Sequence, residues 1–332
     1  MKPIPTVGEI GERALIERML KHITPMPDMP IPFWDDVMAV SLGDGKAAVF
    51  NTDMLVWQTD VPPGMTHRQA ARKAVIMNFS DLGAKGVQPQ AFLSNLGIPR
   101  TLDADHAEDL AKGFEEGARE YDAYVIGGDT NEAPDIIISG VAFGVAPEAK
   151  LMKRMGARPG DTLCTTAPFG DTAAAFKILL EDYNAPPGTR AKLLSSVYTP
   201  RARVREGIAL AETGAVTSSM DSSDGLAISL YDLSRSSGVG FKINNPAITK
   251  EAAAFAQHNK LDPNTLALHG GEEYELVFTV KPGQEANAEK VLNQVGCGFH
   301  ILGEATEHKS IILTTEKGQI PITKSGWNHF TQ

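Results

Sequence analysis

The sequence predicts an α/β (α+β) protein that is built from two domains. Segments with helical apolar spacing alternate with short apolar runs typical of strands, and this mixture is typical of α/β and α+β folds. The length of 332 residues corresponds to two domains of roughly 150 residues each. After Pro147 the composition shifts to a basic, turn-rich stretch. We therefore place the domain boundary there, which predicts domains of residues 1–148 and 149–332.

The predicted N-terminal domain opens with a helix and then alternates strands and helices. Leu15 and Met19 recur at helical spacing ahead of Pro25, where a stiff proline-rich loop begins. Thr66 has the character of an N-cap for a following helix. The further elements predicted here are strands 37–40, 47–51, 92–96, 124–126 and 136–145 and helices 67–84 and 104–121.

The predicted C-terminal domain starts with a strand at 162–166 and a helix at 172–180. The turn between them, residues 169–172, follows a strand and opens a helix, as anion-binding turns do, although most turns of this kind bind nothing. Helices and strands then alternate toward the C-terminus, with a further strand at 277–280. No internal repeat is present.

Composition and charge exclude several classes of protein. The formal net charge of −10 argues against a partner such as nucleic acid. No apolar run approaches the ~20 residues of a membrane span, and the start of the chain has no apolar signal segment, so we expect no membrane association. Cys164 and Cys297 are far apart and lack metal-ligand spacing. A cytoplasmic protein without disulfides is therefore expected.

Six aspartates stand in similar surroundings, beside Gly, Ser or Thr at the borders of predicted elements. One lies next to a strand start, two end strands, one lies late in an apolar helix and two share a serine-rich segment. They are Asp36, Asp53, Asp129, Asp81, Asp221 and Asp224. Carboxylates placed in this way suit Mg²⁺, and a cluster of them is stable only with bound cations. Each aspartate by itself is also a common cap or turn residue.

The segment 269–276, His-Gly-Gly-Glu-Glu-Tyr-Glu-Leu, is a second candidate. It places Glu272 and Glu273 behind a flexible glycine pair, and it is equally consistent with a tight turn into an exposed strand. The chain has no P-loop, no Rossmann fingerprint and no Gly-x-Ser-x-Gly or His-Glu-x-x-His motif. The residues by themselves therefore supply no obvious nucleophile.

Taken in order, eight segments resemble the motifs of the thiamine-monophosphate kinase family. That family belongs to the superfamily of aminoimidazole ribonucleotide synthetase, selenophosphate synthetase and the hydrogenase-maturation dehydratase. The order and spacing hold over nearly the whole chain. The segments are 35–36 (Asp-Asp), 52–56 (Thr-Asp-Met-Leu-Val), 78–82 (Asn-Phe-Ser-Asp-Leu), 127–130 (Gly-Gly-Asp-Thr), 154–161 (Arg-Met-Gly-Ala-Arg-Pro-Gly-Asp), 221–226 (Asp-Ser-Ser-Asp-Gly-Leu), 270–276 (Gly-Gly-Glu-Glu-Tyr-Glu-Leu) and 326–330 (Gly-Trp-Asn-His-Phe).

The resemblance implies an aminoimidazole ribonucleotide synthetase-like fold. An N-terminal mixed sheet would pair with a second copy in a homodimer, a C-terminal α/β sandwich would follow, and the active site would lie between the domains. The implied reaction is phosphoryl transfer from ATP to thiamine monophosphate with Mg²⁺, which gives thiamine diphosphate and ADP. The implied metal ligands are Asp36, Thr52, Asp53, Asp81, Asp129, Asp221 and Asp224. The implied ATP contacts are Gly128, Asp129, Arg154 and Ser223, and the implied substrate contacts are Asp60, Glu272 and Trp327.

The charges of the two substrates indicate how such a reaction would run. ATP and a phosphate monoester are both anionic, so Mg²⁺ is needed to screen them as they approach. A phosphate acceptor has low basicity and needs no strong general base, and none is assigned here. We expect direct in-line transfer, with positioning and electrostatics as the main contributions.

Three positions depart from the usual pattern of the family. Trp34 stands where the family usually has Gly, Asp60 where it has His, and Glu132 where it has Arg. The metal and ATP positions are kept, whereas part of the acceptor pocket is changed. One alternative is therefore a divergent paralogue that acts on another small molecule. Another is a non-catalytic ATP-binding maturation protein, against which the lack of a C-terminal Cys counts.

Overall fold

The computed structural model describes residues 5–326, whose first half forms a five-stranded sheet with helices. Two short helices at the start are separated by Gly11, and a 3₁₀ turn closes this half at Glu148–Lys150. The helices are α1 Val7–Ile10, α2 Glu12–Leu20, α3 Trp57–Asp60, α4 His67–Ala84 and α5 Ala104–Arg119. The strands are β1 Met38–Gly43, β2 Lys46–Val56, β3 Pro89–Ile98, β4 Tyr124–Glu132 and β5 Ile137–Pro147.

The N-terminal sheet is mixed, as predicted. Its strand order is β1-β2-β5-β3-β4, and only the β3–β4 pair is parallel. Helices α4 and α5 pack side by side against the sheet. The core between them includes Val49, Phe79, Phe92 and Phe114, all of which are buried. The other face of the sheet carries exposed side chains such as Met38 and Val40 of β1.

The second half is built on a seven-stranded mixed sheet. Its helices are α6 Asp171–Leu180, α7 Arg190–Tyr198, α8 Val204–Thr213, α9 Leu226–Ser237, α10 Lys250–Asn259, α11 Pro263–His269 and α12 Glu285–Gln294. Its strands are β6 Thr162–Thr165, β7 Val216–Asp221, β8 Gly240–Ile243, β9 Leu276–Val280, β10 His300–Thr306, β11 Ile311–Thr315 and β12 Gly318–Pro321. The order is β12-β11-β8-β10-β6-β9-β7, and only β8 and β11 run parallel. The expected α/β fold with two sheets is thus confirmed.

Helix α4 lies between the two halves and positions much of the site. Thr66 caps its first turn by accepting a hydrogen bond from the backbone N–H of Gln69, and the Thr66 backbone N–H donates one to Oε1 of the Gln69 side chain. The helix packs on β2 and β5 of its own half and on α8 and β7 of the other. Small residues such as Ala70, Ala74 and Gly83 permit this close packing on several sides. Its bounds match the predicted helix 67–84.

Two strand ends were predicted too early. The prediction that strands end at Asp53 and at Asp129 is wrong, because β2 continues to Val56 and β4 continues to Glu132. Both strands keep their backbone ladders past these residues, β2 with β5 and β4 with β3. Backbone pairing does not depend on the polarity of the side chain, so a carboxylate can stand inside a strand where its side chain meets a polar crevice.

Among the residues that the structure describes, no helix combines the length and the apolar character that crossing a membrane requires. The placement of the domain boundary between residues 148 and 149 stays a prediction. Polar contacts join the two halves at several points. Ser80 on α4, for example, donates a hydrogen bond to Asp221 at the end of β7 over 2.6 Å.

Candidate active site

Three predicted metal ligands meet where the two halves join. Asp36 precedes β1, Asp81 lies late in α4, and Asp221 is the last residue of β7. One carboxylate oxygen from each lies within 4.8 Å of the other two. We call these three residues the carboxylate group. Together they bring oxygen donors from three separate elements to one point, as the sequence predicted for Mg²⁺.

The carboxylate group lacks sufficient positive charge of its own. Burial, together with the charges of Asp36 and Asp53, raises the pKa of Asp221 to about 7. Burial also places the pKa of Asp81 well above its ordinary value, and Asp221 and Asp53 act in the same direction. The Oδ1 atom of Asp221 is buried and has no hydrogen-bond partner in the part of the chain that the structure describes. These observations fit a divalent cation, which would bind the unpartnered oxygen and relieve the repulsion among the carboxylates.

Asp53 stands beside the carboxylate group. Its side chain shares a hydrogen bond with Asp81, and its backbone N–H donates to Asn78 of α4 at 3.1 Å. Asn51, two residues earlier on the same face of β2, donates to Asp81 at 2.6 Å. Burial raises the pKa of Asp53 as well. Asp53 therefore extends the acidic surface along β2.

Two basic residues neutralise one side of this acidic surface. Lys85, directly after α4, forms ion pairs with both Asp35 and Asp36 and donates to the carbonyl of Ser219 at 2.7 Å. Arg154 bonds Asp36 through its guanidinium and Asp35 through its backbone N–H. Sequence reasoning assigned Arg154 to ATP and missed Lys85. A basic residue that directly follows a nearly fully buried helix was the available signal.

Asp224 lies apart from the carboxylate group, closer to the N-terminal helix α2. Burial, followed by the charges of Glu12 and Asp232, raises the pKa of Asp224 to about 6. Arg13 of α2 donates two hydrogen bonds to the Asp232 carboxylate, at 2.6 and 2.8 Å. The start of the chain is thereby tied to α9 of the second half.

A cavity of about 690 Å³ lies next to this region. Its apolar walls come from both halves and include Trp57, Val61, Met65, Phe176 and Leu180. The two predicted substrate contacts, Asp60 and Glu272, both line it, as does Gly326. Trp327, the third predicted substrate contact, lies outside the described residues.

Tyr274 lies near acids of both the cavity and the carboxylate group. It is buried, and its high pKa is caused by burial and then by the nearby carboxylates of Glu272, Asp221, Asp53 and Asp60. Two of these acids line the cavity or its floor and two belong to the acidic surface. A ligand in the cavity can therefore reach toward a cation at the carboxylate group.

The remaining predicted residues lie elsewhere. The strand register places Thr52 and Asp129 on the sheet face that α4 and α5 leave uncovered, and both residues are exposed. Asp129 stands three strands away from Asp53, a lateral separation of ~14 Å. Gly128 packs against the backbone of Ser94, so closely that a Cβ atom would collide with it. Ser223 is exposed, and its carbonyl accepts a hydrogen bond from the Glu272 N–H at 2.6 Å.

Comparison with known proteins identifies similar chains. The family described as AIR synthase related protein matches with its N-terminal domain over residues 34–146 and with its C-terminal domain over residues 158–316. The thiamine-monophosphate kinase of Pyrococcus horikoshii is 37% identical over 297 residues, which cover 89% of this chain and 90% of that protein.

Two solved structures are similar over almost the whole chain. The structure of tt0281 from Thermus thermophilus has a TM-score of 0.86 and 28% identity, and the match covers 96% of this chain and 100% of that one. The structure of AaThiL complexed with AMPPCP and TMP has a TM-score of 0.85 at 24% identity and covers 99% and 100% of the two chains. The second likeness concerns the fold alone.

Proposed function

Because the chain belongs to the thiamine-monophosphate kinase family, we propose from that membership how its residues share the work of the reaction. The protein is an ATP-dependent kinase that converts thiamine monophosphate to thiamine diphosphate, with Mg²⁺ and ATP as cofactor and co-substrate. The observation that carries the proposal is the carboxylate group, which lacks a sufficient counter-charge and lies beside an apolar cavity with acidic lining.

Asp36, Asp53, Asp81 and Asp221 would hold the metal. Bound there, Mg²⁺ would supply charge neutralisation for the phosphates of both substrates. The protein contributes position, since the aspartates come from separate elements that are braced by Lys85, Arg154 and Ser80. No His or Lys is needed as a base, because a phosphate monoester attacks without losing a tightly held proton. Direct in-line transfer follows.

For ATP, we propose contacts by Arg154, Gly128 and Ser223. In the structure Arg154 lies between Asp36 and Asp232, with its Nη1 atom 3.6 Å from Asp232. A guanidinium held in this way is fixed in orientation and keeps donors for an anion. The AaThiL structure named above contains AMPPCP and TMP, and the nucleotide and acceptor assignments proposed here match these two kinds of ligand.

The cavity is the proposed site for the acceptor. Its Trp57, Phe176 and Leu180 walls suit a heteroaromatic ring, and the carboxylates of Asp60 and Glu272 suit a cationic or amino-bearing one. Thiamine monophosphate has both properties. Asp224 and Thr52 remain proposed metal ligands, and Trp327 remains a proposed stacking residue.

A homodimer is part of the proposal, because the uncovered face of the N-terminal sheet is apolar. Its exposed side chains are Met38, Val40, Leu42, Met54 and Leu93. A second copy of the chain would cover this face by two-fold symmetry. Asp129 lies on the same face, on the edge strand β4. It would then serve the carboxylate group of the other copy instead of its own.

Mixed dimers test this arrangement. We expect Asp81→Asn and Asp129→Asn homodimers each to be nearly inactive. A purified heterodimer of the two, made by co-expression with different tags, should recover about half of the wild-type activity, because one of its two sites would be intact. An inactive heterodimer would place Asp129 in its own protomer's site, and a monomeric protein would contradict the dimer.

The function itself is tested by ADP release with thiamine monophosphate, thiamine and other phosphate monoesters side by side. We expect Mg²⁺-dependent turnover with thiamine monophosphate. Turnover only with another compound would favour the divergent paralogue, to which the acidic Asp60 and Glu132 point. ATP binding without any turnover would favour a maturation protein. We propose a cytoplasmic location, in keeping with the free thiols of Cys164 and Cys297.

A further inference from the structure

The proposed acceptor cavity is bounded by an ion pair whose lysine has no role in the proposed reaction. Lys73 of α4 has no solvent exposure. Its ammonium group donates to the backbone carbonyl of Asp60 at 2.8 Å and to Oε1 of Glu272. Both of these partners line the cavity. Lys73 thus joins the wall from the first half to the wall from the second half.

The complete burial of the Lys73 side chain requires compensating interactions. Burying an ammonium group costs several kcal/mol and is tolerated only when the charge is paired and hydrogen-bonded. The carbonyl of Asp60 belongs to the last turn of the short helix α3, where carbonyls lack helical partners and attract cations. The Glu272 carboxylate supplies the opposite charge. Lys73 therefore fixes two cavity residues at once.

The Glu272 end of the pair is only half satisfied. Its Oε1 meets Lys73, but its Oε2 is buried and has no hydrogen-bond partner among residues 5–326. Its backbone is also constrained, with a φ of 63° and an N–H bonded to the Ser223 carbonyl at 2.6 Å. A buried carboxylate oxygen without a donor is unfavourable, and a residue that lines the cavity can gain one from a bound ligand when its side chain shifts slightly toward that ligand.

A second ion pair in the same segment behaves differently. Glu275, three residues further on, receives two hydrogen bonds from Arg203 at 2.6 and 2.7 Å and one from Thr166 at 2.6 Å. Both of its oxygens are thus occupied, and it does not line the cavity. The Arg203–Glu275 pair is closed and ties the segment to α8. The Lys73–Glu272 pair leaves one carboxylate oxygen of a cavity-lining residue without a donor among the described residues.

We propose that Lys73 is a positioning residue for the acceptor, which holds the Glu272 carboxylate in one orientation for an N–H or cationic group of the substrate ring. The inference rests on the proposed function and deepens it. It assigns the cavity to an acceptor that carries a positively charged or amino-bearing heterocycle in addition to its phosphate. Lys73 itself touches neither the nucleotide nor the phosphates, so its effect should be confined to acceptor binding.

The test is a cycle of Lys73→Met, Glu272→Gln and the double variant. We expect each single change to raise the KM for thiamine monophosphate at least about tenfold, the scale of one lost charged hydrogen bond. The KM for ATP should stay within about twofold. The acceptor KM of the double variant should be no higher than that of the more impaired single variant, because both changes remove the same interaction. It should also melt at a higher temperature than Lys73→Met, which leaves a buried carboxylate unpaired.

Arg203→Met is the matched control. It also deprives a glutamate of the segment of its partner, and we expect a lower melting temperature with the acceptor KM within about threefold of wild type. If Lys73→Met does not fold, the uncharged double variant is compared with Glu272→Gln. Equal acceptor affinity then supports the inference.

Three outcomes would overturn the inference. The first is that the acceptor KM increases of the two single variants multiply in the double variant. The second is that the KM for ATP rises as much as the KM for the acceptor. The third is that the acceptor KM of Lys73→Met is unchanged. Failure of the proposed function gives a different result, in which the wild-type protein neither binds thiamine monophosphate in calorimetry nor phosphorylates it. In that case the acceptor role of Lys73 is refuted together with the substrate.

Discussion

Two parts of the same acidic crevice differ in how their charge is balanced. Asp35 and Asp36 face Lys85 and Arg154. Although burial acts to raise the pKa of Asp35, the ion pair with Lys85 and the Arg154 contacts hold it below its usual value. Asp221, a few ångströms further on, forms no ion pair with any lysine or arginine among residues 5–326, and its pKa is raised to about 7.

The difference distinguishes carboxylates that are paired with a cation inside the fold from carboxylates that have no such partner and are available to a ligand. A carboxylate with a built-in cation is satisfied as soon as the chain folds, and it contributes to holding the two halves together. A buried carboxylate without one makes the empty site less stable and binds an external cation more tightly in return. Asp36 belongs to both sets, since it pairs with Lys85 and also stands within the carboxylate group.

The largest expected effect comes from the unbalanced side. We expect Asp81→Asn to lower turnover by at least about 10²-fold, since it removes a charged oxygen donor at the metal. Its melting temperature without Mg²⁺ should be equal to that of wild type or higher, because one repulsive charge is gone. ADP release and thermal melting check the two parts. An active but unstable variant would contradict the distinction.

The balanced side should show the opposite pattern. Lys85→Met leaves Asp35 and Asp36 buried without their shared cation, and we expect a loss of about 3–5 kcal/mol of stability, or roughly 10 °C in melting temperature. Lys112→Met, which breaks the exposed Lys112–Asp109 pair, is the control and should leave the melting temperature unchanged. An equally small effect at Lys85 would show that its charge is not needed for folding.

A smaller effect is expected at Glu273, a buried acid outside the carboxylate group. Burial raises the pKa of Glu273 to about 8, while the Gly170 N–H bonds its carboxylate at 2.6 Å. Between the unfolded value near 4.5 and this value the folded chain holds one more proton than the unfolded chain, so stability falls as the pH rises across that window. Glu273→Gln should flatten this part of the curve of melting temperature against pH. An unchanged slope between pH 5 and 8 would mean that the carboxyl group is not protonated in the folded chain.

Local patterns in the sequence were enough to predict much of the fold. Helix α4 was predicted at its observed bounds because its N-cap at Thr66 and its apolar repeat are both local signals. Most strands were found from short apolar runs for the same reason. The ends of β2 and β4 were missed because their carboxylates were read as strand borders, whereas backbone ladders with partner strands decide where a strand ends.

The pairings at the site could not be predicted in this way. Lys73 and Glu272 are separated by 199 positions, and nothing in either neighbourhood names the other. The position of Asp129 on the far face of the sheet depends on the strand order β2-β5-β3-β4, which is a property of the topology. The carboxylate group was anticipated only because motif order resembled a family. Spacing alone did not bring Asp36, Asp81 and Asp221 together.

Helix α4 fixes the distance between the proposed acceptor site and the proposed metal site. Lys73 and Asp81 lie on the same helix, ~12 Å apart along its axis, so helical rise would set the separation of the proposed acceptor and metal sites. One extra residue between them would swing everything downstream by ~100° and turn Asp81 away from Asp221. Insertions and deletions inside this stretch should therefore abolish activity, whereas length changes in the flanking loops would leave this distance unchanged.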